Sequence, residues 1–262
     1  MTFIQYPLYS QLMNKVTENM DENLKRELHL ARQIQLSLLN TISPELKRGE
    51  VIGTTLPARV VGGDYYDFYP LSGDRVRIVI GDVMGKGIPA AMLMILIRGA
   101  FRSAAESSSS VQETLRVINK ALLEDLRMLS SFVTMFCADW DPHSSTLTYA
   151  NAGHHEPFLV RDGKEIPLEC KGVMLGGVAN PHYQQKQITL KAGDCVCFYT
   201  DGIVEARNKA GEFFKRERLV EVLTNGQGKP VGELQRDVLQ SLEAFTDSIP
   251  QMDDMTMVLL KI

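Results

Sequence analysis

The stretch RVRIVIGDVMGKG, residues 75–87, decides the fold. It begins with an apolar run that is typical of a buried β-strand, and the run ends at Asp82, just before a glycine-rich turn. Pro89 follows and predicts a helix over residues 89–107, because proline is favoured in the first turn of a helix. The stretch therefore predicts a buried strand that delivers a carboxylate to its end.

Outward from this stretch, strands and helices come in blocks rather than in alternation. Strands are predicted over residues 51–60, 64–71, 75–84, 132–141, 145–153, 157–163, 164–169, 184–190, 194–202 and 255–262. Helices are predicted over residues 89–107, 111–128, 216–223 and 231–245. This order argues against a doubly wound parallel sheet. It favours an α+β fold in which two antiparallel sheets pack together with helix pairs outside.

The first 40 residues have a different pattern, with apolar residues at steps of three and four. The stripe consists of Leu12, Val16, Met20, Leu24, Leu28, Ala31, Ile34 and Leu38. It predicts an amphipathic helix that ends near Asn40, before Pro44. Such a helix either packs on its own domain or pairs with a second copy as a coiled coil, and its polar surface favours pairing. We therefore divide the chain into an N-terminal linker or dimerisation helix (1–43) and a globular domain (44–262).

Composition excludes several classes of protein. The chain has 262 residues, a formal net charge of −4 and a pI of about 5.8, and its basic residues are scattered, which argues against nucleic-acid binding. The four cysteines lack the C-x-x-C spacing of a zinc site and are expected to be buried thiols. We find neither an uninterrupted apolar stretch long enough to span a membrane nor a signal peptide, and we expect a cytoplasmic protein.

Two further motifs place aspartates as the first one does. Asp201 follows the apolar run CVCFY and precedes a glycine, and Asp253 directly precedes the last strand. One such aspartate is common in turns, but three of them at the edge of an apolar core need compensating cations. Carboxylates without histidine or cysteine ligands favour Mg²⁺ or Mn²⁺. A pair of such ions can activate a water for hydrolysis of a phosphate ester.

Five ordered motifs resemble one known family. They are GGDYYDF (62–68), GDVMGKGIPAAM (81–92), YANAGHHEP (149–157), FYTDGIVEARN (198–208) and DDMTMVLL (253–260). Together they resemble the SpoIIE-like branch of the PPM, or type 2C, serine/threonine protein phosphatases. The resemblance covers roughly residues 50–262, and ARQIQLSLLN (31–40) is similar to the linker helix that often precedes this domain.

The resemblance implies an αββα sandwich and a two-metal site that binds Mn²⁺ or Mg²⁺. It implies that Asp82 bridges both ions and that the backbone carbonyl of Val83 binds one of them. Asp201 and Asp253 are implied as further ligands, and Asp64 as a ligand that acts directly or through water. On this reading Asp82, Asp201 and Asp253 are also the catalytic residues, because a water activated at the metal site hydrolyses the phosphate ester.

Four residues near these motifs have less certain functions. Asp254 is expected to orient the site rather than to bind metal. Lys86 stands where the family often has histidine, and it either contacts phosphate or is simply solvated, the second being favoured. His154 and His155 are each a candidate general acid, although a structural function in the turn is favoured.

The resemblance also implies a substrate and partners. Phosphoserine or phosphothreonine on an anti-anti-sigma (STAS) protein is the expected substrate, within a partner-switching pathway that regulates a sigma factor. A homodimer is expected, and an upstream activator protein would act through the N-terminal helix. The alternative is a catalytically inactive scaffold or adaptor in the same pathway. The GGD motif also resembles that of diguanylate cyclases, but Tyr65 and Tyr66 follow it where an acidic residue is needed.

Overall fold

A computed structural model describes residues 7–39 and 42–262, with side chains from residue 22 onward. The helices in these residues are α1 (Pro7–Leu39), α2 (Ile88–Ser107), α3 (Val111–Met128), α4 (Asp201–Val204), α5 (Lys215–Asn225) and α6 (Val231–Thr246). The strands are β1 (Glu50–Leu56), β2 (Tyr65–Pro70), β3 (Val76–Val83), β4 (Val133–Asp141), β5 (Thr146–Ala152), β6 (Phe158–Arg161), β7 (Lys164–Pro167), β8 (Gln185–Thr189), β9 (Cys195–Tyr199) and β10 (Met255–Lys261).

The strands form two five-stranded sheets, ordered β1-β10-β9-β6-β7 and β2-β3-β4-β5-β8, and neighbouring strands are antiparallel. Helices α2 and α3 pack outside the sheet that contains β3, and α5 and α6 pack outside the other. A third core cluster lies between the sheets. The predicted αββα sandwich is confirmed.

Strand β3 shows how the sequence sets up these layers. Its alternate residues Ile78 and Ile80 belong to the core between the sheets, whereas Val79 belongs to the core beneath α2 and α3. A strand covered on both faces reads as a continuous apolar run, because successive side chains point to opposite faces. The run ends with Asp82, which therefore lies at one end of the sandwich, beside the inner core.

Two predicted boundaries are wrong by more than two residues. Strand β1 ends at Leu56 instead of residue 60, because Pro57 has no N–H group to continue the ladder of hydrogen bonds. Residues 201–204, the first two of which were assigned to a strand, form the single helical turn α4. The cysteines are buried free thiols, as predicted.

The end of α1 contacts the sandwich. Gln35 and Leu39 are buried, whereas Leu24 and Ile34 are 51% and 60% exposed. The Gln35 side chain donates to the carbonyl oxygen of Gly62 at 2.7 Å and accepts from the Gly62 N–H at 3.1 Å. The side chains at the first three positions of the predicted stripe, and Asn40, lie outside the described residues.

Helix α2 is long and apolar enough, by length and composition alone, to cross a membrane. In the fold it is a core helix: Met94, Ile97 and Phe101 are buried against the sheet. Packing therefore explains the apolar residues on this face of the helix.

Candidate metal centre

The acidic residues meet at one end of the sandwich, between the two sheets. Asp82 is at the end of β3, Asp201 lies two residues after the end of β9, and Asp253 precedes β10. Because β9 and β10 are antiparallel neighbours, the last residues of β9 lie beside the first residues of β10, at the same end of the sheet. Asp82, Val83, Asp201 and Asp253 line one cavity of about 290 Å³.

Asp82 carries the strongest electrostatic signal in this cavity. Burial, together with repulsion from Asp201, Asp253 and Asp254, raises the pKa of its carboxyl from an ordinary value of 3.8 to about 7. Lys86 opposes the shift. Asp82 therefore lies in a concentration of negative charge that a single ammonium group does not balance.

Asp64 lies behind the cavity rather than in its lining. Its carboxylate accepts a hydrogen bond of 2.7 Å from the Thr200 hydroxyl. Burial raises its pKa well above the usual range, and the charge of Asp82 raises it further, while hydrogen bonds from Thr256 and Thr200 lower it. Asp64 is thus electrostatically linked to Asp82, but its side chain is engaged within the protein.

Asp253 has a cationic partner. Lys86 Nζ donates to Asp253 Oδ2 at 2.6 Å and to the Met252 carbonyl oxygen at 2.7 Å. The other oxygen, Asp253 Oδ1, accepts from the Asp254 N–H at 3.0 Å. Both oxygens of this carboxylate therefore have protein partners.

Asp254 organises the loops around the site. Its Oδ1 accepts from the Ala58 N–H at 2.7 Å and its Oδ2 from the Gly63 N–H at 2.6 Å. The backbone at Gly202 and Gly62 lies very close to Asp254. A Cβ on Gly202 would lie 2.0 Å from the Asp254 carbonyl oxygen, and a Cβ on Gly62 would lie 2.5 Å from Asp254 Oδ2. Glycine is therefore required on both sides of Asp254.

The two histidines differ. His154 is buried, its Nδ1 lies 2.9 Å from the Thr134 hydroxyl and its Nε2 lies 3.2 Å from the Tyr199 carbonyl oxygen. Since the carbonyl can only accept, Nε2 carries the proton and Nδ1 accepts from Thr134. Burial, together with nearby His155, lowers the pKa of His154 to about 3. His154 is therefore neutral and structural, whereas His155 is exposed on the cavity.

The donor set has the chemistry of a site for hard divalent cations. The cavity offers carboxylates and the Val83 backbone, and oxygen ligands of this kind favour Mg²⁺ and Mn²⁺. Among the described residues, no three histidine, cysteine or acidic side chains are close enough to hold one ion together. The candidate ligands line the cavity, therefore, but they are not close enough together to form a coordination shell.

The sequence motifs pointed to the aspartates but missed their partners. The sequence analysis did not predict a function for Thr200, which bonds to Asp64, or for Thr134, which bonds to His154. Thr200 nevertheless belongs to the motif FYTDGIVEARN and directly precedes Asp201. Lys86 was expected to be solvated, but it forms an ion pair with Asp253. Only proximity in the fold reveals this pair, since 167 residues separate its members.

An αββα sandwich with an acidic cavity between its sheets at one end defines the PPM class of serine/threonine protein phosphatases. Comparison with known proteins agrees. Residues 72–262 match the family model of stage II sporulation protein E (SpoIIE). The phosphoserine phosphatase RsbU of Bacillus subtilis (strain 168) is 30% identical over 250 residues, which cover 95% of this chain and 73% of RsbU. The chain belongs to the SpoIIE family.

Two other relatives extend the comparison. The phosphoserine phosphatase RsbP of Bacillus subtilis (strain 168) is 24% identical over 247 residues, covering 92% of this chain and 59% of RsbP. The PP2C domain of SiaA from Pseudomonas aeruginosa superposes with a TM-score of 0.83 over 93% of this chain and 98% of that domain, at 22% identity. At 22% identity, the similarity to the SiaA domain supports the fold alone.

Proposed function

We propose that this phosphatase is metal-dependent and removes phosphate from phosphoserine or phosphothreonine on a STAS-domain protein in a partner-switching pathway. One observation carries the proposal: Asp82, Asp201 and Asp253 line a single cavity in which the charge of Asp82 is not balanced. Two Mn²⁺ or Mg²⁺ ions are the expected cofactors. Asp82 would bridge them, Val83, Asp201 and Asp253 would be further ligands, and Asp64 would complete the site directly or through water.

Bound divalent cations would neutralise phosphate charge and lower the pKa of a water molecule that attacks phosphorus. The protein contributes the carboxylates that hold the ions and the backbone bonds of Asp254 that fix the loops. His155 is the imidazole exposed on the cavity, and we assign to it delivery of a proton to the leaving serine oxygen. His154 is unsuited to this step because both its ring nitrogens are engaged.

A protein substrate is supported by the surface beside the cavity. A groove of about 780 Å³ shares Lys86 and Asp253 with the cavity and extends past Arg207 to Leu239 and Met252. An open groove that continues into a phosphate-sized cavity suits a protein segment carrying a phosphoresidue. The STAS-domain substrate is proposed from the family resemblance and from the RsbU and RsbP relatives.

We further propose that residues 1–43 form a linker and dimerisation helix and residues 44–262 the phosphatase domain of a cytoplasmic homodimer. The exposure of Leu24 and Ile34 on α1 supports pairing with a second copy. An upstream activator would engage the same helix. Sedimentation of the full chain should show a dimer that Leu24→Glu and Ile34→Glu weaken, and a wild-type monomer at micromolar concentration would contradict this part of the proposal.

Phosphate release from a phosphorylated STAS-domain protein tests the activity itself. The wild-type chain should be active with Mn²⁺ or Mg²⁺ and inactive in EDTA. Asp201→Asn should lower the rate at least ~100-fold, because it removes a charged group on which the metal-activated chemistry depends. The matched control is Asp162→Asn, which changes an exposed aspartate away from the cavity. No turnover with any divalent cation, on this substrate or on p-nitrophenyl phosphate, would instead favour an inactive scaffold.

A further inference from the structure

The ion pair between Lys86 and Asp253 differs from the buried ion pairs of this protein. Arg77 and Arg161 each form two bonds to a buried carboxylate, on Asp139 and Asp194 respectively. Lys86 instead makes one contact to Asp253, and both side chains are more than a third exposed. A lysine ammonium is a compact, mobile point charge, so this pair can exchange partners more easily than an arginine pair.

The position of Lys86 makes this exchange relevant to the metal centre. Its ammonium occupies Asp253 Oδ2, while Asp253 Oδ1 is held by a backbone N–H. A divalent cation that recruits Asp253 therefore meets an ammonium group at one oxygen and a backbone N–H at the other. The Coulomb attraction of a dication for a carboxylate is about twice that of an ammonium at equal distance. We therefore expect the ammonium group, rather than the backbone N–H, to leave Asp253 when a cation binds.

Lys86 also lies between the two parts of the substrate surface. It lines both the acidic cavity and the adjoining groove. The residue sits in a turn between Gly85 and Gly87, both with positive φ (101° and 72°), so the turn projects the lysine stem from a sharp backbone bend. An ammonium group released from Asp253 would face the phosphate of a protein segment lying in the groove.

We propose that Lys86 is an exchangeable counter-ion of the metal centre. Its ammonium holds Asp253 in the absence of a divalent cation and, once a cation takes that carboxylate, turns to the phosphate monoester of the substrate. Lys86 is thus a competitor of the metal and a ligand of the phosphate. This inference rests on the proposed metal-dependent function and adds a phosphate-binding residue to it.

The test measures binding rather than turnover. Wild-type protein, Lys86→Met and Lys86→Arg are stripped with EDTA, dialysed, and titrated with Mn²⁺ in a calorimeter. The same Mn²⁺-loaded proteins are then titrated with inorganic phosphate. Lys229→Met is the matched control, because it also removes one positive charge and one lysine–aspartate pair, to Asp237, away from the cavity. Lys86→Gln serves as a second neutral variant if thermal unfolding shows that Lys86→Met is not folded.

Lys86→Met should bind Mn²⁺ roughly threefold to tenfold more tightly, the range expected when one unit charge is removed a few ångströms from a partly exposed site. Its affinity for inorganic phosphate should fall by about the same factor because a phosphate donor is lost. Lys86→Arg should stay within about twofold of wild type for Mn²⁺, since its charge is kept. Lys229→Met should resemble wild type in both titrations.

Unchanged or weaker Mn²⁺ binding by the neutral Lys86 variants would overturn the exchange. Tighter Mn²⁺ binding with unchanged phosphate affinity would overturn the phosphate contact. Lys86→Arg binding Mn²⁺ as tightly as Lys86→Met would show that charge is not the cause, which also overturns it. A wild-type protein that binds no Mn²⁺ would overturn the proposed metal dependence and this inference with it, so the two failures are distinguishable.

Discussion

Asp82→Asn should stabilise the metal-free protein while abolishing its function. Asparagine has nearly the shape of aspartate but carries no charge. The pKa of Asp82 is raised from 3.8 to about 7, so keeping this group ionised at pH 8 costs up to about 4 kcal/mol. In EDTA at pH 8, we expect the variant to gain about 2–4 kcal/mol in the free energy of unfolding, because burial and neighbouring carboxylates no longer oppose a charge.

The gain in the free energy of unfolding of Asp82→Asn should depend on pH. Because the native state holds the Asp82 proton more tightly than the unfolded state, the contribution of Asp82 to the stability of the metal-free wild type is fully present below pH 3.8 and is lost as the pH rises through 7. At pH 5 the cost is only about 1.6 kcal/mol, so the advantage of the variant should shrink. Urea unfolding in EDTA at pH 5 and pH 8 measures both values.

Mn²⁺ should reverse the ranking of the two proteins. Binding to the native state stabilises wild type by about 4.1 kcal/mol at one thousand times the dissociation constant, which exceeds the gain of the variant, and the variant lacks the carboxylate that we propose as the bridging ligand. Asp194→Asn is the opposite control: its carboxylate is paired with Arg161, so its loss should destabilise at both pH values. An Asp82→Asn protein no more stable than wild type in EDTA at pH 8 would refute the electrostatic reasoning.

Three further substitutions test other parts of the fold and site, each by urea unfolding. Arg77→Met should cost about 3–5 kcal/mol by leaving Asp139 buried without its partner, and Asp139→Leu in the same chain should recover part of the loss. Gly202→Ala should cost about 1–3 kcal/mol and lower phosphatase activity, because its Cβ would lie 2.0 Å from the Asp254 carbonyl oxygen. Asp254→Ala should cost about 2–5 kcal/mol by leaving two backbone N–H groups without an acceptor, and Asp254→Asn should lose less. A cost below 1 kcal/mol in any of the three would contradict the packing described for that residue.

The sequence predicted the layers of the sandwich well because the local composition of a strand indicates whether the strand is buried. The run ending at Asp82 is apolar on both faces, which only a central strand satisfies. Asp82, Asp201 and Asp253 each lie at or near a strand end, and they line one cavity. Local pattern failed where a single residue decides the outcome, as at Pro57, which ends β1 early.

Contacts between distant residues could not be predicted in this way. Lys86 and Asp253 are far apart in sequence, and nothing in either motif indicates that they pair. Asp64 was expected as a ligand that acts directly or through water, and the fold places it behind the cavity, bonded to Thr200. Such differences depend on how strand ends from two sheets are brought together, which periodicity does not encode.

The two hydrogen bonds between Gln35 and Gly62 fix the rotational phase of helix α1 relative to the catalytic end of the sandwich. Each residue inserted upstream of Gln35 would turn the exposed stripe containing Leu24 by about 100°, because an α-helix has 3.6 residues per turn. Insertion of seven residues would return the stripe to within about 20° of its direction. Helices of different length can therefore be exchanged ahead of this domain in steps of about seven residues, provided that Gln35 and Leu39 stay in place.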